Sequence, residues 1–436
     1  MLFLEIISKN NIKKGLAMLI DFSTKNFRSF NELQTFSLIK SKSSELPSNT
    51  FSISDNSNFS LLKTAAIYGA NASGKSNFLK ALLTMKLMVT ANYQRGDKLP
   101  VVPFKLNNCT INQPTEFEVT FIVDNVRYQY GFSASTTQIY DEWLFVYPKN
   151  HAQKWFERSW NKQNKSYDWR FGSFLLGSKQ MWAQSTRENA LFLATAVQLN
   201  NEQLRPIFDW FNDTLRFASS GGFDPMFTAN LCEDNRKNDI LKFLKTADFH
   251  ISDIKVEKTE FNVSELPADM LEPLKDFLTQ SLKGKKKLRL ETIHVDNNGD
   301  LVPLNFHDES DGTQKFFGFA GPILDVLENG YVLCIDELNV NLHPKLVQFL
   351  VELFHNQESN PKNAQLIFTT HETSILTQYI FRRDQIWFCE RSKEHSSVLY
   401  PLSDFSPKKG KENLELGYLS GKYGALPFIS TFMGVK

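Results

Sequence analysis

The run Gly69, Ala70, Asn71, Ala72, Ser73, Gly74, Lys75, Ser76 ends a short apolar stretch and opens a helical one. Its glycines let the backbone curl so that several amide hydrogens converge on one anion, and the positive end of the following helix adds to the attraction. Lys75 then reaches the outer phosphates of a nucleoside triphosphate, the Ser76 hydroxyl suits Mg2+, and Asn77 joins the same nucleotide-facing set. A second group of chemically capable residues follows a second apolar stretch: Tyr331 to Ile335, then Asp336 and Glu337. Asp336 falls at a strand's carboxyl end, beside the magnesium. Glu337 points past it, where it orients or deprotonates an attacking water. Two acids after a strand are common in solvated turns, so this pair gains meaning only beside the phosphate loop. A third stretch, Gln365 to Thr370, ends at His371, at the edge where α/β sheets bind ligands. A lone histidine is more often structural; with the other two motifs it reads as a sensor or stabiliser of the terminal phosphate. The three together predict binding and hydrolysis of ATP with Mg2+.

Such motifs need a scaffold. Alternating apolar residues predict a strand pair over Met18 to Phe27 and Glu32 to Ile39, and Leu61 to Tyr68 reads as a buried strand feeding the glycine turn. A helix from Lys75 to about Val89 buries one stripe of Phe78, Leu79, Leu82, Leu83, Met85 and Met88. Glu116 to Val123, Arg127 to Ser133 and Gln138 to Tyr147 read as an antiparallel sheet. From about Phe174 the pattern turns helical, with segments Ala190 to Asn200, Glu202 to Leu215, Asp239 to Ala247 and Ala268 to Leu282. Strand signals return at Leu288 to Val295 and Leu301 to Phe306. After them come a helix near Gln314 to Glu328, the acidic strand, a helix Lys345 to Phe354 and the strand ending at His371. Alternating helix and strand implies a parallel sheet covered on its faces.

Bulk composition names no partner. The chain of 436 residues carries a formal charge of +1 and four cysteines at no metal-like spacing, which suits a reducing cytoplasm. No signal peptide or membrane span is visible, so no membrane partner is expected. Lys283, Lys285, Lys286, Lys287 and Arg289 form the densest basic run. Such a run is ordinarily a solvated loop, with nucleic-acid contact as the alternative. Six tryptophans crowd Trp143 to Trp210, where core packing is the first expectation and partner-facing anchors the second. No second catalytic centre is seen.

In order and spacing these motifs resemble ABC-type ATPase heads of chromosome-maintenance and recombination proteins. Lys25 to Phe30 is similar to that group's first strand, which brings Arg28 and Ser29 to the nucleotide. Ser310, Asp311, Gly312, Thr313, Gln314 stands in the signature position, and His371 in that of the switch histidine. More closely, the chain resembles AAA-family ATPases of bacterial abortive-infection and related phage-defence systems, through Gly318 to Asn329, Asp384 to Glu390 and the tail Gly417 to Phe428. The resemblance implies an α/β fold: an ABC-type P-loop head, mixed or parallel sheet with helices plus an antiparallel β-subdomain, interrupted by a helical insertion. The expected division is an extension at 1–17, since relatives start near Met18; the head at 18–150 and 286–400; a mainly helical insertion at 151–285; and a tail at 401–436. It also implies a homodimer or higher homo-oligomer closing head to head on ATP, with Ser310 and Gly312 acting in trans, and a separate toxin- or nuclease-like effector protein under the chain's control. A recombination-type ATPase clamping DNA and a non-hydrolysing ATP-bound scaffold are the alternatives. Relatives carry aspartate at Asn339 and a second glycine at Thr313 in the wider group, and the Q-loop region falls around Val102 to Leu106 with no glutamine in it.

Overall fold

A computed structural model describes residues 17–53, 59–149, 151–260 and 286–427. The helix expected over Ala268 to Leu282, the residues Lys283 and Lys285, the extension before residue 17 and Phe428 lie outside the described residues. The chain divides into two compact units, one comprising Met1–Ser220, Val326–Asn339 and Val347–Lys436, the other Gly221–Asp325 and Val340–Leu346.

In the first unit, strands β1 (Ala17–Lys25) and β2 (Gln34–Ser37) pair antiparallel. Short strands β3 (Thr50–Ser52) and β4 (Ser60–Leu62) pair with each other, and β5 (Thr64–Tyr68), buried throughout, leads into the phosphate loop and helix α1 (Lys75–Thr90). A meander follows: β6 (Thr115–Val123), β7 (Val126–Ala134), β8 (Ile139–Tyr147), β9 (Gln153–Asn161) and β10 (Ser166–Phe171). With β1 and β2 these make a seven-stranded antiparallel sheet of order β10-β9-β8-β7-β6-β1-β2. The stretch expected to be mainly helical from 151 therefore starts with two strands. Their signal is present in the sequence, since Tyr167, Trp169 and Phe171 alternate with exposed polar residues along β10. Helices α2 (Lys179–Ser185), α3 (Phe192–Gln198) and α4 (Arg205–Asp209) come next. The helix expected to reach Leu215 instead gives way to a strand, β11 (Leu215–Ala218), because that segment finds a parallel partner far along the chain.

The second unit contains α5 (Pro225–Leu231), α6 (Lys237–Thr246) and the antiparallel strands β12 (Asp253–Glu260), β13 (Lys286–Val295) and β14 (Leu301–Asn305). It also holds the start of α7 (Asp311–Asn329). Phe316 stacks on Phe243 and Phe249 at ring separations of 5.1 and 4.9 Å, fixing that helix within its unit.

Back in the first unit, β15 (Val332–Ile335), all but the start of α8 (Pro344–His355), β16 (Gln365–Thr369), β17 (Ile386–Arg391), β18 (Ser397–Pro401) and α9 (Leu414–Leu419) follow. The second sheet has the order β11-β15-β16-β5-β17-β18, parallel except for β18. Its strands are nearly continuous apolar runs, as burial on both faces requires. Buried on several faces rather than one stripe, α1 sets Phe78 edge-on to Phe22 at 5.6 Å and Phe30 at 6.5 Å. Trp155, Trp182 and Trp210 are buried in the same core. Among the described residues no helix is long and apolar enough to cross a membrane.

Candidate functional site

The sheet order explains how distant motifs meet. β5, β16 and β15 are consecutive neighbours, all parallel, so their carboxyl ends deliver Gly69, His371 and Asp336 to one edge. The phosphate loop there has the curl its residues promised, with φ of 151° at Gly69, 61° at Ala72 and 115° at Gly74. A side chain is excluded at either glycine. A Cβ at Gly69 would lie 2.2 Å from the Cys389 carbonyl oxygen, and one at Gly74 would lie 2.1 Å from Ser397 Oγ. Asn71 and Ala72 stand exposed at the loop's crest, whereas Ser73, Gly74 and Lys75 are buried.

Several features of this loop fit a bound triphosphate. Ser73 Oγ is buried without a hydrogen-bond partner. Lys75 Nζ folds back to donate to the carbonyls of Gly69 at 2.8 Å and Ala70 at 3.0 Å, a pairing with its own loop that an anion can replace. Burial lowers the Lys75 pKa, and the Glu337 and Asp336 carboxylates oppose that shift. The ammonium is thus partly stripped of water and close to two acids.

Beside it, Asp336 Oδ1 accepts from Ser76 Oγ at 3.0 Å and from Thr369 Oγ1 at 2.7 Å. Hydroxyl and carboxylate oxygens of this kind are the hard donors Mg2+ takes, and one or two protein ligands suffice when phosphates supply others. Among the described residues there is no group of three or more His, Cys, Asp or Glu that could hold a metal ion. Glu337 is held in the left-handed region, φ 53°, by its own N–H donating to Thr369 Oγ1 at 2.7 Å and by Leu338 N donating to Thr369 O at 3.1 Å. Sequence reading passed over Thr369. Its signal was a hydroxyl at the last position of the strand before His371.

His371 sits at the rim, its pKa lowered first by desolvation and then by the Lys75 charge, which keeps the imidazole neutral. Its backbone N–H donates to Asn339 Oδ1 at 3.2 Å, and Thr370 Oγ1 donates to the same atom at 3.0 Å. Where relatives place aspartate, this amide therefore ties down the histidine's own loop. Arg28 and Ser29 are also brought to the phosphate loop: Asn77 Nδ2 donates to Ser29 Oγ at 3.0 Å, and Arg28, at φ 49°, donates its N–H to Val102 O at 2.7 Å. The segment Val102 to Leu106 is thereby placed beside the loop, though it offers no glutamine.

Ser310 and Gly312 belong to the second unit. There Ser310 caps α7: its Oγ accepts from Thr313 N at 3.1 Å and pairs with Thr313 Oγ1 at 2.8 Å. Thr313, in the position of the missing glycine, is used as part of that cap. Within the first turn of this 19-residue helix, Thr313 N and Gln314 N both donate to Ser310, the latter to its carbonyl at 2.9 Å.

Residues 65–377, well over half of the chain, match the family described as "AAA domain, putative AbiEii toxin, Type IV TA system". No curated protein matches the chain. Among solved structures, the SMC head domain from Thermotoga maritima is 11% identical, with 88% of this chain and 98% of that one covered at a TM-score of 0.38. The SmcHead bound to the C-winged helix domain of ScpA is 13% identical, over 88% and 97%, at 0.38. The recombination mediator protein RecF with ATP is 14% identical, over 90% and 100%, at 0.37. Scores this low leave these as likenesses only, and the assignment rests on the matched segment: the chain belongs to that AAA-domain family.

Proposed function

We propose that this family member binds ATP with Mg2+ on the loop Gly69 to Ser76, hydrolyses it, and closes head to head with a second copy to control another protein in defence against phage. The observation that carries the reading is the convergence of Ser76 and Thr369 on one oxygen of Asp336, next to a desolvated Lys75 and a pinned Glu337. Bound Mg2+ supplies charge neutralisation on the outer phosphates. The loop amides and Lys75 bind the phosphate chain and orient it. Ser76 and Asp336 hold the metal's side of the site. Glu337 takes a proton from the attacking water, and Thr369 keeps that carboxylate aimed. Neutral His371 donates a hydrogen bond toward the terminal phosphate as charge builds there. Ser310 and Gly312 of the second copy present their helix start to the same phosphate.

The wider role leans on the family description, which names a toxin of a toxin–antitoxin system and so a two-part arrangement. Free thiols at Cys109, Cys232, Cys334 and Cys389 support a reducing, cytoplasmic setting. DNA clamping has less support, since Arg289 of the basic run pairs with Glu291 at 3.1 Å. The scaffold reading has one observation in its favour: the Asn339 amide restrains His371 within its own subunit.

The test is ATP turnover by the wild type and Glu337→Gln, with sizing of each in Mg2+ and ATP. Turnover lost in Glu337→Gln, together with a larger nucleotide-filled assembly, supports the hydrolysing dimer. Equal binding and no turnover by either protein replaces it with the scaffold.

A further inference from the structure

A pocket of about 360 Å³ opens beside the phosphate loop, walled by Arg28, Asn77, Lys105, Arg391, His395 and Ser397 among others. Neither Asp336, Glu337 nor His371 lines it, so it lies off the hydrolytic side of the loop. Two of its walls were expected from the sequence, the Arg28–Ser29 turn and the Val102 to Leu106 segment. The third wall is the turn of the β17–β18 hairpin, to which nothing in the sequence reading gave a role.

That hairpin is sewn to the phosphate loop at several points. β17 pairs directly with β5 up to Phe388 opposite Tyr68, and the Cys389 carbonyl then lies against Gly69, 2.2 Å from where a Cβ on that glycine would be. Cys389 Sγ donates to Ser73 O at 3.3 Å; burial pushes this thiol up to about 12, so it stays protonated as a donor. Ser397 Oγ donates to the same Ser73 carbonyl, and Ser397 N donates to Ser29 O at 2.7 Å. The turn closes on itself through Ser392 N to Ser396 O at 2.7 Å and His395 N to Ser392 O at 3.0 Å, with His395 held at φ 62°. Arg391 and His395 are exposed and form no ion pair among the described residues. The pocket thus carries Arg28, Lys105 and Arg391 with a histidine and no carboxylate. Such a lining suits an oxygen-rich, anionic ligand entering from the loop.

Resting on the nucleotide reading above, we propose that the β17–β18 turn is part of the nucleotide site, with Arg391 and His395 contacting the sugar at the nucleoside end of the bound ATP. These two side chains add affinity for the nucleoside end without touching the outer phosphates. The geometry makes the hairpin a cis element of specificity, fixed in place because it shares hydrogen bonds with the loop that holds the phosphates.

The experiment compares binding of Mg-ATP and of Mg-tripolyphosphate, which has no nucleoside end, by the full-length wild type, Arg391→Gln, His395→Ala and the double variant, with a thermal melt of each. The expected result is a loss of about tenfold in ATP affinity for the double variant, with tripolyphosphate affinity and melting temperature unchanged. Unchanged ATP affinity overturns the assignment. So does an equal loss for both ligands, which would place the two residues at the phosphates. A wild type that binds tripolyphosphate but gains nothing from the nucleoside overturns it while sparing the phosphate loop. A wild type that binds neither ligand overturns the nucleotide reading itself.

Discussion

Thr369→Val tests how Glu337 is aimed. The substitution keeps shape in a fully buried position and deletes one hydroxyl that makes two bonds, donating to Asp336 Oδ1 at 2.7 Å and accepting from Glu337 N at 2.7 Å. Asp336 keeps Ser76 and solvent, so its loss is partial. Glu337 N–H is left without a partner, at a cost of about 1–3 kcal/mol. The total destabilisation should be about 2–3 kcal/mol, a fall of several degrees at roughly 2–4 °C per kcal/mol. The catalytic effect should be larger. A non-glycine residue at φ 53° is strained, and once its N–H is released the backbone can relax out of the left-handed region, swinging the carboxylate. Displacement by an ångström costs on the order of a hundredfold in rate. ATP turnover at saturating Mg2+ should therefore drop about 30- to 100-fold in kcat with KM nearly unchanged, and Thr369→Ser should restore most of it. A kcat for Thr369→Val within threefold of wild type, in protein shown to be folded, would refute the claim that this hydroxyl positions the general base.

Three further outcomes are expected. Glu142→Gln should lower stability by about 3–5 kcal/mol in a denaturant or thermal melt, because it strips the partner from Arg158 in an ion pair at 3.2 Å whose two side chains are both fully buried. Buried His355, bonded to Thr64 Oγ1 at 2.8 Å, has its pKa pushed down to about 3 by desolvation. It stays neutral in the folded chain, while the unfolded imidazole takes up a proton below about 6.5. Protons therefore favour unfolding between about 6.5 and 3, and His355→Gln should lose less melting temperature than wild type between pH 7 and pH 5. Ser310→Ala should cost about 1 kcal/mol through loss of the α7 cap. It should leave ATP binding by a single head intact and abolish ATP-dependent dimerisation on sizing.

Much of the candidate site could be read along the chain because its signals are local. Two glycines, a lysine and a serine between an apolar run and a helix face fix the conformation of Gly69 to Ser76 within a dozen residues. The acids after Ile335 and the histidine after Thr370 are likewise end-of-strand features, visible from a change in hydropathy. The strands of the meander up to Tyr147, the position of α1 and the helix after Ser310 follow from periodicity in the same way. Where local pattern was ambiguous the reading drifted: Leu215 to Ala218 has the composition to end a helix, and only its pairing with β15 makes it a strand.

What the tertiary structure alone decided is adjacency. Periodicity says which face of a strand is buried, and it carries no information about which strand lies alongside. Placing β5 between β16 and β17 puts Gly69 next to residues about 300 positions away. The order of that sheet makes Thr369 the clamp on Glu337 and makes Ser397, Arg391 and His395 neighbours of the phosphate loop. Each of these contacts is a hydrogen bond or close approach between segments that meet only after the backbone ladders have formed, so the residues that line the loop were written in the sequence while their partners were settled by strand pairing.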